Sequence, residues 1–233
     1  MNEYAQQLSV ASAAPSERAA FIRRTYAHLA GALLVFAGLL AYMINTPLAE
    51  KMLTFIMGNQ YGWLMILGGF ILFGWLARGL ASSGASQSMQ YVGLTLYVLV
   101  EAVIFVPIIY IAAFYADSPN LIPTAAILTG TLFAGLTAIV FVTKKDFSFL
   151  RGVLVIGGFV AMGLIVCSII FGFDLGLAFS AGMIGLAGCA ILYDTSKILH
   201  HYRTDQHVGA ALELFASVAL LFWYVLRLLM NRR

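Results

Sequence analysis

The sequence predicts an all-α integral membrane fold of seven transmembrane helices, on three observations. Hydrophobic residues make up 62% of the 233 and charged residues only 10%, whereas a soluble domain carries about 25% charged residues. The mean hydropathy is +0.94. The apolar residues also come in continuous runs, each close to the roughly 20 residues that a helix needs to cross a bilayer core. Backbone polar groups in lipid must be satisfied within helices or a closed barrel, and unbroken runs rather than ten-residue alternations select helices.

Residues 1–24 form the one soluble-looking stretch of any length. They are polar and rich in alanine and serine, and Arg18, Arg23 and Arg24 stand just before the first apolar run. No charged start leads straight into an apolar core, so a cleaved signal peptide is not expected. The segment reads as a flexible tail with a short amphipathic helix near its end. Residues 25–233 then form the membrane domain. Its spans are expected near 25–45, 61–81, 88–114, 120–142, 150–172, 175–196 and 208–230. Turn or polar chemistry marks each break: NTPLAEK, ASSGASQ, ADSPN, TKKDFSF, the very short FGFD, and HHYRTDQH.

Charge along the chain predicts orientation. With a cytoplasmic N-terminus, Arg18, Arg23, Arg24, Arg78, Lys144, Lys145, Arg151, Lys197 and Arg203 lie inside and the outside loops hold only Lys51, as the positive-inside rule asks. Arg232 and Arg233 run against it, and an even span count would remove that conflict. Cys167 and Cys189 fall inside apolar runs and read as small core residues. Small residues recur at spacings of three or four in GGF (68–70), TGTLFAG (129–135), GGFVAMG (157–163) and SAGMIGLAG (180–188), which predicts close helix packing there. No basic run is interleaved with aromatics, so nucleic acid is not an expected partner.

An ionisable side chain in hydrocarbon costs roughly 2.5–3.5 kcal/mol on insertion scales, so each one asks for a role. Glu101 sits near the centre of the third span, six residues before Pro107, which frees a backbone carbonyl. Glu213 lies about two turns into the seventh span and shares a face with Ser217. Asp194 ends the sixth span in YDTSK; it is either a frayed-end residue bonding to the backbone or part of a polar site. Lys197 is available to it as a surface partner. Arg78 ends the second span as an interfacial anchor or as a partner for these acids, and Arg227 is placed to snorkel to the far interface. An acid close to a movable arginine makes a protonation switch, which the nearby His200 and His201 can modulate. HHYRTDQH reads as a solvated loop rather than a zinc site, and His28 stands alone. No HExxH, GxSxG, Walker or dinucleotide fingerprint occurs, so no enzyme is expected.

Two elements together resemble the Bax inhibitor-1 family, also called the transmembrane Bax inhibitor motif family, in its bacterial branch: AILYDTSKI (190–198) and TKKDFSFL (143–150). LLFWYVLRLL (220–229) fits as well. The resemblance covers about residues 20–230. It implies seven helices with the last one central and the other six around it. It also implies a pH-sensitive calcium leak in which aspartates on the sixth and seventh spans share a proton and an arginine ending the second span engages them. Asp194 matches the first aspartate and Arg78 stands near the arginine position. Ser217 occupies the place of the second aspartate, with Glu213 one turn earlier, and Glu101 is additional to the family pattern.

Two functions follow as expectations. One is a leak channel or transporter of a bacterial inner membrane, with calcium as the permeant ion and no cofactor. It is gated at Asp194 with Glu213, Ser217 and Arg78, and its ion path and metal contacts are drawn from Glu101, Asp194 and Glu213. The other is a non-conducting membrane regulator, such as a modulator of a membrane-anchored ATP-dependent protease, engaging its partner through the tail at 1–24.

Overall fold

The computed structural model describes residues 9–59, 61–81, 86–116 and 118–231. Eight helices follow in order: α1 (Pro15–Met43), α2 (Pro47–Gly58), α3 (Gly62–Leu80), α4 (Gln87–Phe114), α5 (Leu121–Thr143), α6 (Leu150–Phe171), α7 (Gly176–His200) and α8 (His207–Met230). Among the described residues, all but α2 are long and apolar enough to cross a membrane. The chain is a multi-pass integral membrane protein with seven spans, so the two ends of the described chain lie on opposite faces. Large apolar side chains point outward around the bundle, among them Leu34, Trp75, Val142 and Phe159. Lipid is the natural cover for such a surface.

Local chemistry sets the helix ends. Pro15 opens α1 at a position where its missing N–H costs nothing. At the other end, Asn45 Nδ2 donates to the Ala41 carbonyl and Thr46 Oγ1 to that of Met43, both at 2.7 Å, before Pro47 opens α2. Helices α5 and α6 end on left-handed residues, Lys144 at φ 51° and Gly172 at φ 70°. The FGFD turn closes when Gly176 N donates to Asp174 Oδ1 at 3.1 Å.

Two boundaries differ from the sequence expectation. Helix α1 starts ten residues before the expected end of the tail, so 15–24 extend the first span. Ahead of it, Val10 N donates to the Tyr202 carbonyl at 2.8 Å and the Val10 side chain is fully buried; residues 1–8 lie outside the described residues. Helix α2 is new. Its 12 residues extend about 18 Å, short of the roughly 30 Å hydrocarbon core. It packs on α4 and α3 through Ala49 and Ile56 and leaves the span count odd.

Helix α8 is central: 78% of its most apolar window is buried, against 6% for α6. It packs against α7, α1, α5 and α4 and touches α3. The surrounding ring is incomplete, however. Helix α6 packs on α7 and the edge of α3, and a cleft separates it from α8.

The tight glycine contacts lie only partly in the small-residue clusters: a Cβ added at Gly157 stands 2.6 Å from Leu186 Cδ1. A Cβ added at Gly68, Gly130, Gly158 or Gly182 meets nothing within 4 Å, whereas one on Gly209 stands 2.7 Å from the Ala81 carbonyl oxygen and one on Gly93 stands 2.7 Å from that of Ala77. These two glycines let α8 and α4 press against the end of α3.

The loop between α5 and α6 is stapled to the end of α7. Phe147 N donates to Ser196 Oγ at 2.9 Å, and Ser196 Oγ donates to Asp146 Oδ1 at 3.2 Å. The two motifs TKKDFSFL and YDTSK are therefore halves of one joint. The Ser148 backbone N–H, then the Ser148 and Ser196 hydroxyls and His201, hold the Asp146 carboxyl below its usual range.

Two predictions follow from these contacts. Gly209→Ala lowers thermal stability in detergent by about 1–3 kcal/mol through overpacking against a backbone carbonyl, whereas Gly158→Ala stays within about 0.5 kcal/mol of the parent; equal melting of the two variants contradicts the placement of the close contact. Because Asp146 titrates lower in the folded chain than in the unfolded one, its contribution is present above the unfolded value and is lost as pH falls through the folded one. Asp146→Asn therefore melts earlier than the parent at neutral pH, and the gap closes in acid below the carboxylate range. A gap that is constant with pH contradicts the staple's charge dependence.

Candidate functional site

The end of the bundle that carries the N-terminus of α1 gathers the polar residues singled out above. Helix α7 delivers Asp194 at its last turns, where Thr195 and Ser196 are also buried. Helix α8 faces it with Ser217, whose hydroxyl donates to Asp194 Oδ2 at 2.6 Å. Asp194 and Ser217 are each only 7% exposed. An ionised carboxylate accepts this bond, and a protonated one can also donate, so the pair accommodates both states of the acid.

Glu213 lies one turn before Ser217 on the same face of α8. Its Oε2 accepts from Arg78 Nε at 3.1 Å. The Arg78 guanidinium also lies over the Tyr97 ring, 5.6 Å from its centroid, a cation–π arrangement. Arg78, Glu213, Lys197, Tyr202, Gln206 and Gly209 line a pocket of about 340 Å³. Lys197 does not pair with Asp194; its ammonium stands over the rings of Tyr193 and Tyr202, at 5.3 and 5.0 Å. Burial, with the charges of Glu213 and Asp194 beside it, pushes the Tyr202 phenol well above its ordinary range, so it stays a neutral phenol.

The structure thus brings Asp194, Ser217, Glu213 and Arg78 together, but as two pairs. The arginine takes the glutamate and the serine takes the aspartate, and no hydrogen bond joins the two acids among the described residues. Glu101 belongs elsewhere. It lines a second cavity of about 430 Å³, between α3, α4, α6 and α8. On α4, Tyr97, Glu101 and Phe105 repeat every four residues along one buried stripe. Tyr97 sits under Arg78, while Glu101 and Phe105 face the other cavity. A cluster of rings joins the two ends of this stripe: Tyr97 meets Phe215 edge-on at 6.0 Å, Phe36 meets Phe215 at 5.5 Å, and Phe36 meets Phe105 at 5.1 Å. Sequence reading missed this aromatic cluster, because phenylalanine and tyrosine occur in most spans and nothing local marks the ones that meet.

Among the described residues, no three His, Cys, Asp or Glu side chains converge to hold a metal. Asp194 and Glu213 are two carboxylates, with Glu101 in a different cavity, whereas a hard cation such as calcium takes 6–8 oxygens at a resident site. The histidines are also redistributed. His201 Nε2 lies 3.5 Å from Asp146 Oδ2. His28 is not alone: its Nε2 is 2.9 Å from Tyr91 Oη and its ring centroid 5.1 Å from that of His207. Sixty-three residues separate His28 from Tyr91, too far for any local pattern. Arg227 reaches Asp174 Oδ1 at 3.7 Å at the opposite end of the bundle.

The family model described as "Inhibitor of apoptosis-promoting Bax1" matches residues 18–233. An uncharacterized protein of Pseudomonas aeruginosa is 31% identical over 232 residues, 98% of this chain and 96% of its own. Bax inhibitor 1 of Schizosaccharomyces pombe is 31% identical over 238 residues, 98% of this chain and 83% of its own. The modulator of FtsH protease YccA of Escherichia coli is 35% identical over 102 residues, covering 43% of this chain and 46% of its own. With the family model spanning nearly the whole membrane bundle and two relatives aligned along almost all of it, the chain belongs to the Bax inhibitor-1 family.

Proposed function

We propose that the protein is a proton-gated cation leak pathway, with calcium as the permeant ion, and that the structure is its closed form. The observation that carries this is the double pairing at one end of the bundle, Arg78 with Glu213 and Ser217 with Asp194. The polar pocket at that end holds Arg78 and Glu213, and the second cavity holds Glu101; the ring cluster of Tyr97, Phe215, Phe36 and Phe105 is the barrier that this reading sets between them. Ionised Glu213 holds Arg78 over Tyr97. Protonation of Glu213 and Asp194 releases the guanidinium and lets the cluster part. A permeant ion then meets Glu213 and Asp194, and afterwards Glu101, as transient oxygen ligands and not as a resident site. This is transport without catalysis.

The orientation proposed puts the pocket and the N-terminus on the cytoplasmic side, which the nine basic side chains at that end of the bundle support. The bacterial inner membrane is the compartment proposed, in keeping with the Escherichia coli relative named an inner membrane protein.

A second function has its own support. A relative sharing 102 aligned residues is named a modulator of FtsH protease. On that ground the chain regulates a membrane protease through its N-terminal tail and conducts nothing. Removing the part of the 1–24 tail that precedes α1, residues 1–14, abolishes such regulation and leaves any flux intact.

The test is calcium flux into proteoliposomes across about pH 5 to 8, the range in which a shifted acid or a histidine titrates. The parent protein is expected to conduct more as pH falls. Glu213→Gln, which weakens the hold on Arg78, raises flux at neutral pH by up to about fivefold, the equivalent of about 1 kcal/mol for a partly exposed ion pair, and flattens the pH profile. Asp194→Asn shifts the profile as well. Flux with the parent's pH profile in both variants contradicts the gate, and absence of flux from folded protein at every pH leaves the regulatory function in its place.

A further inference from the structure

Glu101 is a carboxylic side chain that the gate does not use. It is 4% exposed, and no hydrogen bond or ion pair reaches it among the described residues. It faces the cleft of about 430 Å³ between α3, α4, α6 and α8, a size suited to a small organic ligand. The walls are hydrocarbon and aromatic: Trp63, Phe70, Phe105 and Trp223 surround the space. Phe105 and Trp223 stand edge-to-face at 4.9 Å, which fixes the ring orientations that a guest meets. Ile111 and Arg227 line the far part of the cleft, with Ile111 ten residues along α4 from Glu101, or about 15 Å. Arg227 is already opposed by Asp174, with Nη2 3.7 Å from Oδ1, so it does not supply the counter-charge to Glu101.

We propose that this cleft is a binding site for a lipophilic organic monocation, of the quaternary ammonium or phosphonium class. Such a ligand brings the three things the walls ask for. Its single diffuse positive charge partners a buried carboxylate that forms no ion pair among the described residues; the Arg78 charge that also acts on it is held by Glu213. Its substituents lie against π faces, which attract weakly hydrated cations. Its apolar body fills the hydrocarbon volume. A metal ion does not suit a site with one carboxylate and apolar walls, because it requires several oxygens. A neutral acyl chain fills the volume and leaves Glu101 unmatched. Binding of this kind is independent of whether the chain conducts ions.

The test uses the full chain in a nonionic detergent. Methyltriphenylphosphonium is titrated by calorimetry beside triphenylphosphine oxide, an uncharged molecule of similar shape. Two of the three tryptophans, Trp63 and Trp223, line the cleft, so intrinsic fluorescence gives a second readout. The parent protein binds the cation saturably and at least about tenfold more tightly than the neutral molecule, the scale of one charge-assisted contact. E101Q loses about that factor for the cation and keeps its affinity for the neutral molecule. Where E101Q does not fold, Ile104→Trp, which fills the cleft beside Glu101, removes saturable binding. Equal affinity for the two molecules, equal cation affinity in the parent and E101Q, unchanged binding in Ile104→Trp, or no saturable binding by the parent overturns the proposal.

Discussion

The seating of α8 against the end of α3 is the constraint on which the polar end of the bundle depends. Gly209 lets the first turn of α8 lie on the Ala81 carbonyl, at a distance no side chain would allow. That contact fixes both the height and the rotation of the helix. Glu213 and Ser217, about 6 Å apart along the axis, then fall opposite Arg78 on α3 and Asp194 on α7. Two spans from different parts of the chain are thereby read by one face of a third. Burial of α8 on nearly all sides gives that face its precision, because a helix packed all round has little freedom to roll.

The consequence is a division of labour between a strong local bond and a releasable one. The Ser217–Asp194 bond is short and buried. The Arg78–Glu213 pair is looser and its partners are 43% and 32% exposed, so water competes for it. Serine in place of a second acid removes a like-charge contact next to Asp194, and glutamate one turn earlier restores a charge within reach of the arginine. The longer side chain compensates for the extra turn. Tyr97 extends the arrangement inward, since the ring under Arg78 also meets Phe215 edge-on.

Much of the fold was legible because hydropathy and span length depend on the sequence alone. Six of the seven spans fall within four residues of their expected limits, with α1 beginning ten residues early, and Glu213 and Ser217 share a face through their spacing of four. The pairing across helices was not legible. Arg78 and Glu213 are 135 residues apart, and whether the arginine meets Glu213 or Asp194 depends on how α3 and α8 rotate. Helix α2 was missed because its 12 residues are too short for a span. The glycine clusters were a partial guide: Gly157 meets Leu186 while Gly158 meets nothing, because small residues suit lipid-facing helix surfaces as well as contacts. The joint between TKKDFSFL and YDTSK shows the opposite case: two motifs noticed separately turn out to be physically one, through Ser196 and Asp146.

The central claim is that the Arg78–Glu213 pair shuts off access to the Asp194–Ser217 bond. Thiol accessibility tests it most directly. With Cys167 and Cys189 both changed to serine, Ser217→Cys places a thiol where the native hydroxyl is 7% exposed. Its rate of modification by a membrane-impermeant maleimide is then measured with Glu213 intact and with Glu213→Gln. Slow modification with the pair intact, accelerated by Glu213→Gln, is the predicted result. Equal rates in the two backgrounds contradict the claim and reduce the pair to a surface contact.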